Sequence, residues 1–237
     1  MNREIVLSTL RERLAVPARL FPLLMLFLLP LMYAYLPVDV EQPLGPFLQA
    51  MLIWTLGAGI VGEDASSGVM LLVFARPIRR SEYVFSKWAA LAVAAAVFLV
   101  SQDAAYAAIR MWRGREMQAA AVLARMLEHL TLAAGASAVL VLFSCLIQGS
   151  KEITGIMIAW FATWVLRIVG QVWAWPVATA VGEELSASIL PSFSPVAAFA
   201  GDPAALGAVA AWASTLVLAL GVAVFVLSRK ELSYAAS

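Results

Sequence analysis

Residues 204–228 read AALGAVAAWASTLVLALGVAVFVLS, 25 consecutive positions without a charged side chain. A helix needs about 20 apolar residues to cross about 30 Å of hydrocarbon, so this run alone turns the reading toward membrane helices. Cutting the rest of the chain at its charges gives five more runs, and the predicted spans are 20–38, 45–62, 88–109, 130–150, 153–175 and 204–228. Pro43 and Pro46 place the start of the second helix proper near Phe47. Asp103 is the one charge inside the third run, and Arg167 lies inside the fifth. Composition agrees: the 237 residues are 63% hydrophobic and 13% charged, with a mean hydropathy of +0.89. A soluble domain holds about 45–50% apolar and about 25% charged residues, so a soluble enzyme is a poor reading. Sixteen basic and 15 acidic residues leave a net charge of +1, no field that would draw a nucleic acid. The expected fold is all-α and polytopic, one transmembrane domain over 1–237.

Lys and Arg counted on alternating sides of the predicted spans set the orientation. One side carries Arg3, Arg11, Arg13, Arg19, Arg76, Arg79, Arg80, Lys87, Lys151, Arg229 and Lys230, eleven in all. The other carries four, Arg110, Arg113, Arg115 and Arg125, all in one connection. The bias places both termini in the cytoplasm, with the chain in the cell membrane. The first run follows a charged segment and is long enough to remain as an anchor. Within residues 1–18, Val6, Leu7, Leu10 and Leu14 share one side of a helical wheel and Glu4, Ser8, Arg11 and Glu12 the other, the pattern of an interfacial helix. Arg13 falls on the apolar side, where its long stem allows snorkelling. Residues 119–127 are helix formers expected to extend the fourth span beyond the membrane. The apolar connection 176–203, broken by Pro191, Pro195 and Pro203, reads as short re-entrant helices covered by protein.

Familiar catalytic patterns are missing. The nearest string to a phosphate-binding loop, Gly149-Ser150-Lys151, has the wrong order and spacing. His129 is the one histidine, and Glu128 beside it builds no H-E-x-x-H pair; it reads as an interfacial side chain at the start of the fourth span. No Gly-x-Ser-x-Gly elbow is present. Cys145, the one cysteine, stands among Leu142, Phe143 and Leu146 and reads as a small buried hydrophobe. Enzyme chemistry is left only Asp103, Arg167 and the outer Glu183-Glu184 pair, and the chain is expected not to be an enzyme. Arg167 is 14 residues past Ile153, about 21 Å along a helix, and Asp103 is 15 past Trp88, about 22 Å. The matched depths allow an ion pair. A pathway role, with Gln171 as a further candidate, and snorkelling of Arg167 to the outer headgroups are the competing readings.

Between the second and third spans, residues 62–87 read GEDASSGVMLLVFARPIRRSEYVFSK. Acidic residues and serines open a short helix. The stretch 69–74 then gives a helix too short to span and too apolar to float free in cytosol. Pro77 stops it, and arginines follow at the membrane surface. Such a helix suits a soluble partner that buries its apolar face.

This loop resembles the signature of the type-2 ATP-binding-cassette (ABC) exporter permeases: an acid, a Gly, a Leu-rich stretch, a Pro nine residues after the Gly, Arg just beyond, and a Lys ten residues after the Pro. Glu63 or Asp64, Gly68, Leu71, Leu72, Pro77, Arg79 or Arg80, and Lys87 occupy those places, with Val69 where the family has Thr. The six predicted spans, the N-terminal helix, the re-entrant connection and Ser194-Pro195 resemble the same family. The resemblance implies two permeases, as two copies of this chain or one with a homologous permease, bound to two ATPase subunits. ATP and Mg would be bound there, with no cofactor in this chain. Asp64 to Phe74 would dock on the ATPase, while Arg79, Arg80 and Lys87 would hold the loop against lipid headgroups. The first and fifth spans would meet the second permease, and the second and fifth would line the path of a substrate exported from the cytoplasm or inner leaflet. A subunit that passes ATPase motion to a membrane assembly or maturation machine without transport fits the same residues, as does a partner at the outer, periplasmic face.

Overall fold

The computed structural model describes residues 2–15, 17–35, 46–75, 77–147 and 151–229, and among them every regular element is a helix. In chain order these are α1 (Arg3–Ala15), α2 (Pro17–Tyr35), α3 (Pro46–Gly57), α4 (Gly62–Ser66), α5 (Val69–Phe74), α6 (Arg80–Trp112), α7 (Ala119–Leu146), α8 (Glu152–Val172), α9 (Pro176–Ile189), α10 (Pro195–Phe199) and α11 (Pro203–Arg229). By length and composition α6, α7, α8 and α11 can each cross a membrane. A fifth crossing is counted if Arg3–Ala15 and Leu20–Tyr35 form one bent span.

The second span departs from expectation. Its helix α3 has 12 residues, about 18 Å at 1.5 Å per residue, because the chain turns at Gly57-Ala58-Gly59. Gly59 has φ +70°, and a Cβ there would lie 2.3 Å from the Glu63 side chain, so the turn requires glycine. The apolar Ile60 and Val61 that lengthened the run in sequence belong to the turn. The third span is longer than expected: α6 starts at Arg80, so 81–87 are helical. Residues 119–127 continue into α7 as one helix. Residues 36–45 and 148–150, where three predicted spans begin or end, lie outside the described residues, as do Arg76 and Lys230.

Helices α6 and α7 form the centre of the bundle, packed along each other; α6 also receives α1 and α2, and α11 lies chiefly on α7. Both α6 and α7 bury alanines, among them Ala90, Ala94, Ala95, Ala133 and Ala136, which lets helix backbones approach closely. Helix α3 seats Leu52, Ile53, Trp54 and Leu56 in the core these helices share. Indole N–H groups add crossing bonds: Trp88 donates to the Ala134 carbonyl and Trp212 to that of Thr131, each at 2.9 Å. The segment expected to be re-entrant holds α9 and α10. Helix α9 folds back along α8, close enough that a Cβ on Gly182 would lie 2.7 Å from Arg167 Cγ and one on Gly170 2.2 Å from Thr179 Oγ1.

On α1 the buried side chains are Thr9 and Arg13, while Leu7 and Leu14 are exposed. The face turned inward is therefore rotated from the wheel's apolar side, and Arg13 does not snorkel.

The contact between α2 and α6 has a specific cause. Pro30 lies inside α2 and lacks the N–H that would satisfy the carbonyl four residues earlier. That carbonyl, of Leu26, accepts instead from Gln102 Nε2 at 3.0 Å, and the Phe27 carbonyl accepts from the same nitrogen at 3.0 Å. Q102L should lower thermal stability in detergent by about 1–3 kcal/mol, the cost of an unsatisfied buried acceptor. Its cost should shrink in a P30A background, where the helix supplies its own donor; equal costs in both backgrounds would remove this account.

Candidate docking site and buried polar contacts

The loop residues form two short helices. Gly68, with φ +76°, stands between α4 and α5, and Pro77 follows the end of α5. Of the apolar stretch, Met70 is buried and Leu71 half-buried, whereas Leu72 is 73% and Val69 43% exposed. The tip offered outward is therefore Leu72 with Val69.

Asp64, expected at a docking surface, is buried. Its carboxylate takes Lys87 Nζ at 2.8 Å and the Tyr83 hydroxyl at 2.5 Å. Lys87 is buried as well, so it secures the loop from within α6 and does not reach toward headgroups. Arg80 corrects the same expectation: its Nη1 donates to the carbonyls of Leu227 and Ser228, each at 2.6 Å, closing the C-terminal end of α11 as a cation there should. Its guanidinium also lies 5.8 Å over the Phe74 ring, and that ring meets Tyr83 edge-on at 5.5 Å. Arg79 is exposed and alone of the three remains placed for a surface role.

The turn that enters α4 is held from three directions. Arg13 on α1 donates through Nη1 to the Ala58 carbonyl and through Nη2 to that of Gly59 at 3.1 Å. The same Nη2 lies 3.6 Å from Glu63 Oε2. Ser144 Oγ on α7 accepts from the amides of Val61 and Gly62 at 3.0 and 2.9 Å. Glu152 Oε1 on α8 accepts from the Gly59 amide. None of these three partners was singled out as a site residue from sequence. Arg13 left a trace as the misfit on its wheel. Glu152, beside Lys151, reads as an ordinary loop charge, and Ser144 gave no signal.

The intramembrane candidates are not brought together as a pair. Asp103 Oδ2 lies 2.5 Å from His129 Nδ1, both residues being buried between α6 and α7. Arg167 and Gln171 are exposed on α8. Two helices with facing polar residues are thus joined by Asp103 and His129, and the histidine is a buried partner instead of an interfacial side chain. Among the described residues no cluster of three or more His, Cys, Asp or Glu could hold a metal. Cys145 is buried.

Comparisons with protein-family models, with curated proteins and with solved structures gave no match.

A buried charge left without its partner is costly, about 3–5 kcal/mol, whereas removal of both charges is often close to neutral. K87M should therefore lower the unfolding temperature strongly, and D64N/K87M should recover much of the loss. If the double variant is no better than K87M when both are melted in the same detergent, Asp64 and Lys87 do not act as a pair.

Proposed function

We propose that this chain is the membrane permease subunit of a type-2 ABC exporter, working as two copies, or with a homologous permease, on two separate ATPase subunits. On this reading six segments cross the membrane, both termini and α4–α5 face the cytoplasm, and α9–α10 dip back from the outer side. The observation that carries the reading is the construction of α4–α5. An apolar tip of Leu72 and Val69 projects outward while the base behind it is fixed by a buried ion pair and by polar contacts from α1, α7 and α8. A tip meant only to lie on the bundle would bury its leucines. A rigidly seated tip with exposed apolar side chains suits a partner that pushes on it. The spacing of Asp64, Gly68, Pro77 and Lys87 supports the same family, although Asp64 and Lys87 here serve the loop's own seating.

Helix α8 supports a second permease copy. Arg167 and Gln171 are exposed in the last third of a helix long enough to span, and a guanidinium facing hydrocarbon is costly. Protein from another copy, or the water of a path between copies, would cover that face.

Co-expression with the ATPase encoded nearest to it, purification through a tag on this chain and native mass measurement should give two permeases with two ATPases. L72D should purify with unchanged elution and melting but without the ATPase, because a carboxylate on the apolar tip cannot be buried in the partner. A wild-type chain that assembles stably with no ATPase overturns the proposal.

A further inference from the structure

Helix α8 is the most loosely seated of the long helices. It packs chiefly on α9 and only lightly on α7, and its buried residues are Glu152, Ile156, Thr163 and Gly170. Thr163 and Gly170 face α9, so the attachment of the α8–α9 hairpin to the bundle through α8 lies in the first turns of that helix. There Ile156 enters the core, Gly155 lets Ile147 approach, and Glu152 reaches the turn before α4.

The contact made by Glu152 is unusual for a structural anchor. The residue is fully buried; one carboxyl oxygen accepts the Gly59 N–H, and the other, Oε2, has no hydrogen-bond partner among the described residues. An aliphatic side chain would hold two helices together at lower cost. What the carboxyl adds is a directional hold on one peptide group. The Ala58 carbonyl and the Gly59 N–H are the two ends of the 58–59 peptide, and Arg13 takes the first while Glu152 takes the second. A cation at the negative end of that dipole and a carboxyl at its positive end clasp the peptide between α1 and α8. It lies three residues before α4 begins.

We propose that Arg13 and Glu152 are positioning residues that convert displacement of α4–α5 into movement of the α8–α9 hairpin, Glu152 being the handle on the hairpin. The proposal rests on the docking of an ATPase at Leu72. Any load on the tip reaches the 58–59 peptide through α4, and that peptide can shift only by carrying Glu152 or by breaking from it.

The test uses the full chain with its ATPase in nanodiscs. Spin labels are placed at Met111 and Val172, exposed residues at the far ends of α6 and α8, and their separation is read without nucleotide and after trapping with ATP and vanadate. Wild type should show a nucleotide-dependent change in distance. E152A should lose it while retaining the ATPase, and E152Q, whose amide oxygen still accepts from Gly59, should keep a part of it. If E152A does not reach the membrane, R13M, which releases the same peptide from the α1 side, should show the loss. A wild-type chain that binds ATPase without a distance change, an undiminished change in E152A or R13M, or equal behaviour of E152A and E152Q overturns the inference alone. A wild-type chain that binds no ATPase overturns the functional proposal and this inference with it.

Discussion

A helix broken inside an apolar bundle must have its freed backbone groups satisfied, and the break after Gly57 is where the rest of this structure meets that demand. The peptide groups of the turn between α3 and α4 lie outside any helical ladder, and no solvent of hydrocarbon type could supply their partners. Arg13 meets the carbonyls of Ala58 and Gly59 in the turn, Glu152 the amide of Gly59, and Ser144 the amides of Val61 and Gly62. Because these side chains come from α1, α7 and α8, satisfying one turn ties three helices to a single point. Asp64, Lys87 and Tyr83 then fix the helix that follows. The apolar tip at Leu72 is thus an extension of this polar network.

The same constraint operates further along α6 on a smaller scale. Pro30 frees a carbonyl in α2, and Gln102 returns a donor to it. The next residue, Asp103, turns to α7 and meets His129. Adjacent positions on α6 therefore bind two different helices by polar contacts, while the alanines of α6 and α7 supply close packing between them. Hydrogen bonds give direction here that dispersion among alanines does not.

Apolar length was the most legible property of the chain, because it needs only counting: α6, α7, α8 and α11 lie where the runs predicted, and the short helices of the loop divide at Gly68. The length of α3 was not legible, since Ile60 and Val61 look the same to a hydropathy count whether helical or in a turn. The loop's residue types and spacing were visible, but not the direction in which each pointed. Lys87 is seven residues into α6 and faces Asp64 because α6 begins as early as Arg80. The partner of Asp103 was hidden for a related reason. Equal depth from one side matched it to Arg167, whereas the actual neighbour depends on the rotation of α6 against α7, to which sequence spacing across a connection is blind.

Helices α8 and α11 have the same small buried share, 17% of their most apolar windows, yet their exposed surfaces differ in kind. The exposed face of α11 is made of Val217, Leu218, Val222 and Phe225, side chains that lipid tails solvate without cost. That of α8 mixes Phe161, Trp164, Val165 and Ile168 with Arg167 and Gln171. Hydrocarbon suits the first four and not the last two. Arg167 also has its stem against Gly182 of α9, which restricts the directions it can take. On the proposed reading, α11 is a lipid-facing wall, and α8 is the surface on which a second copy or an aqueous path must lie. The loosely held helix, the one carrying exposed polar groups and the one gripped by Glu152 at the turn before α4 are then the same helix. A permease that alternates between two arrangements needs such an element, held firmly at the end where force enters and weakly along the face that must change partners.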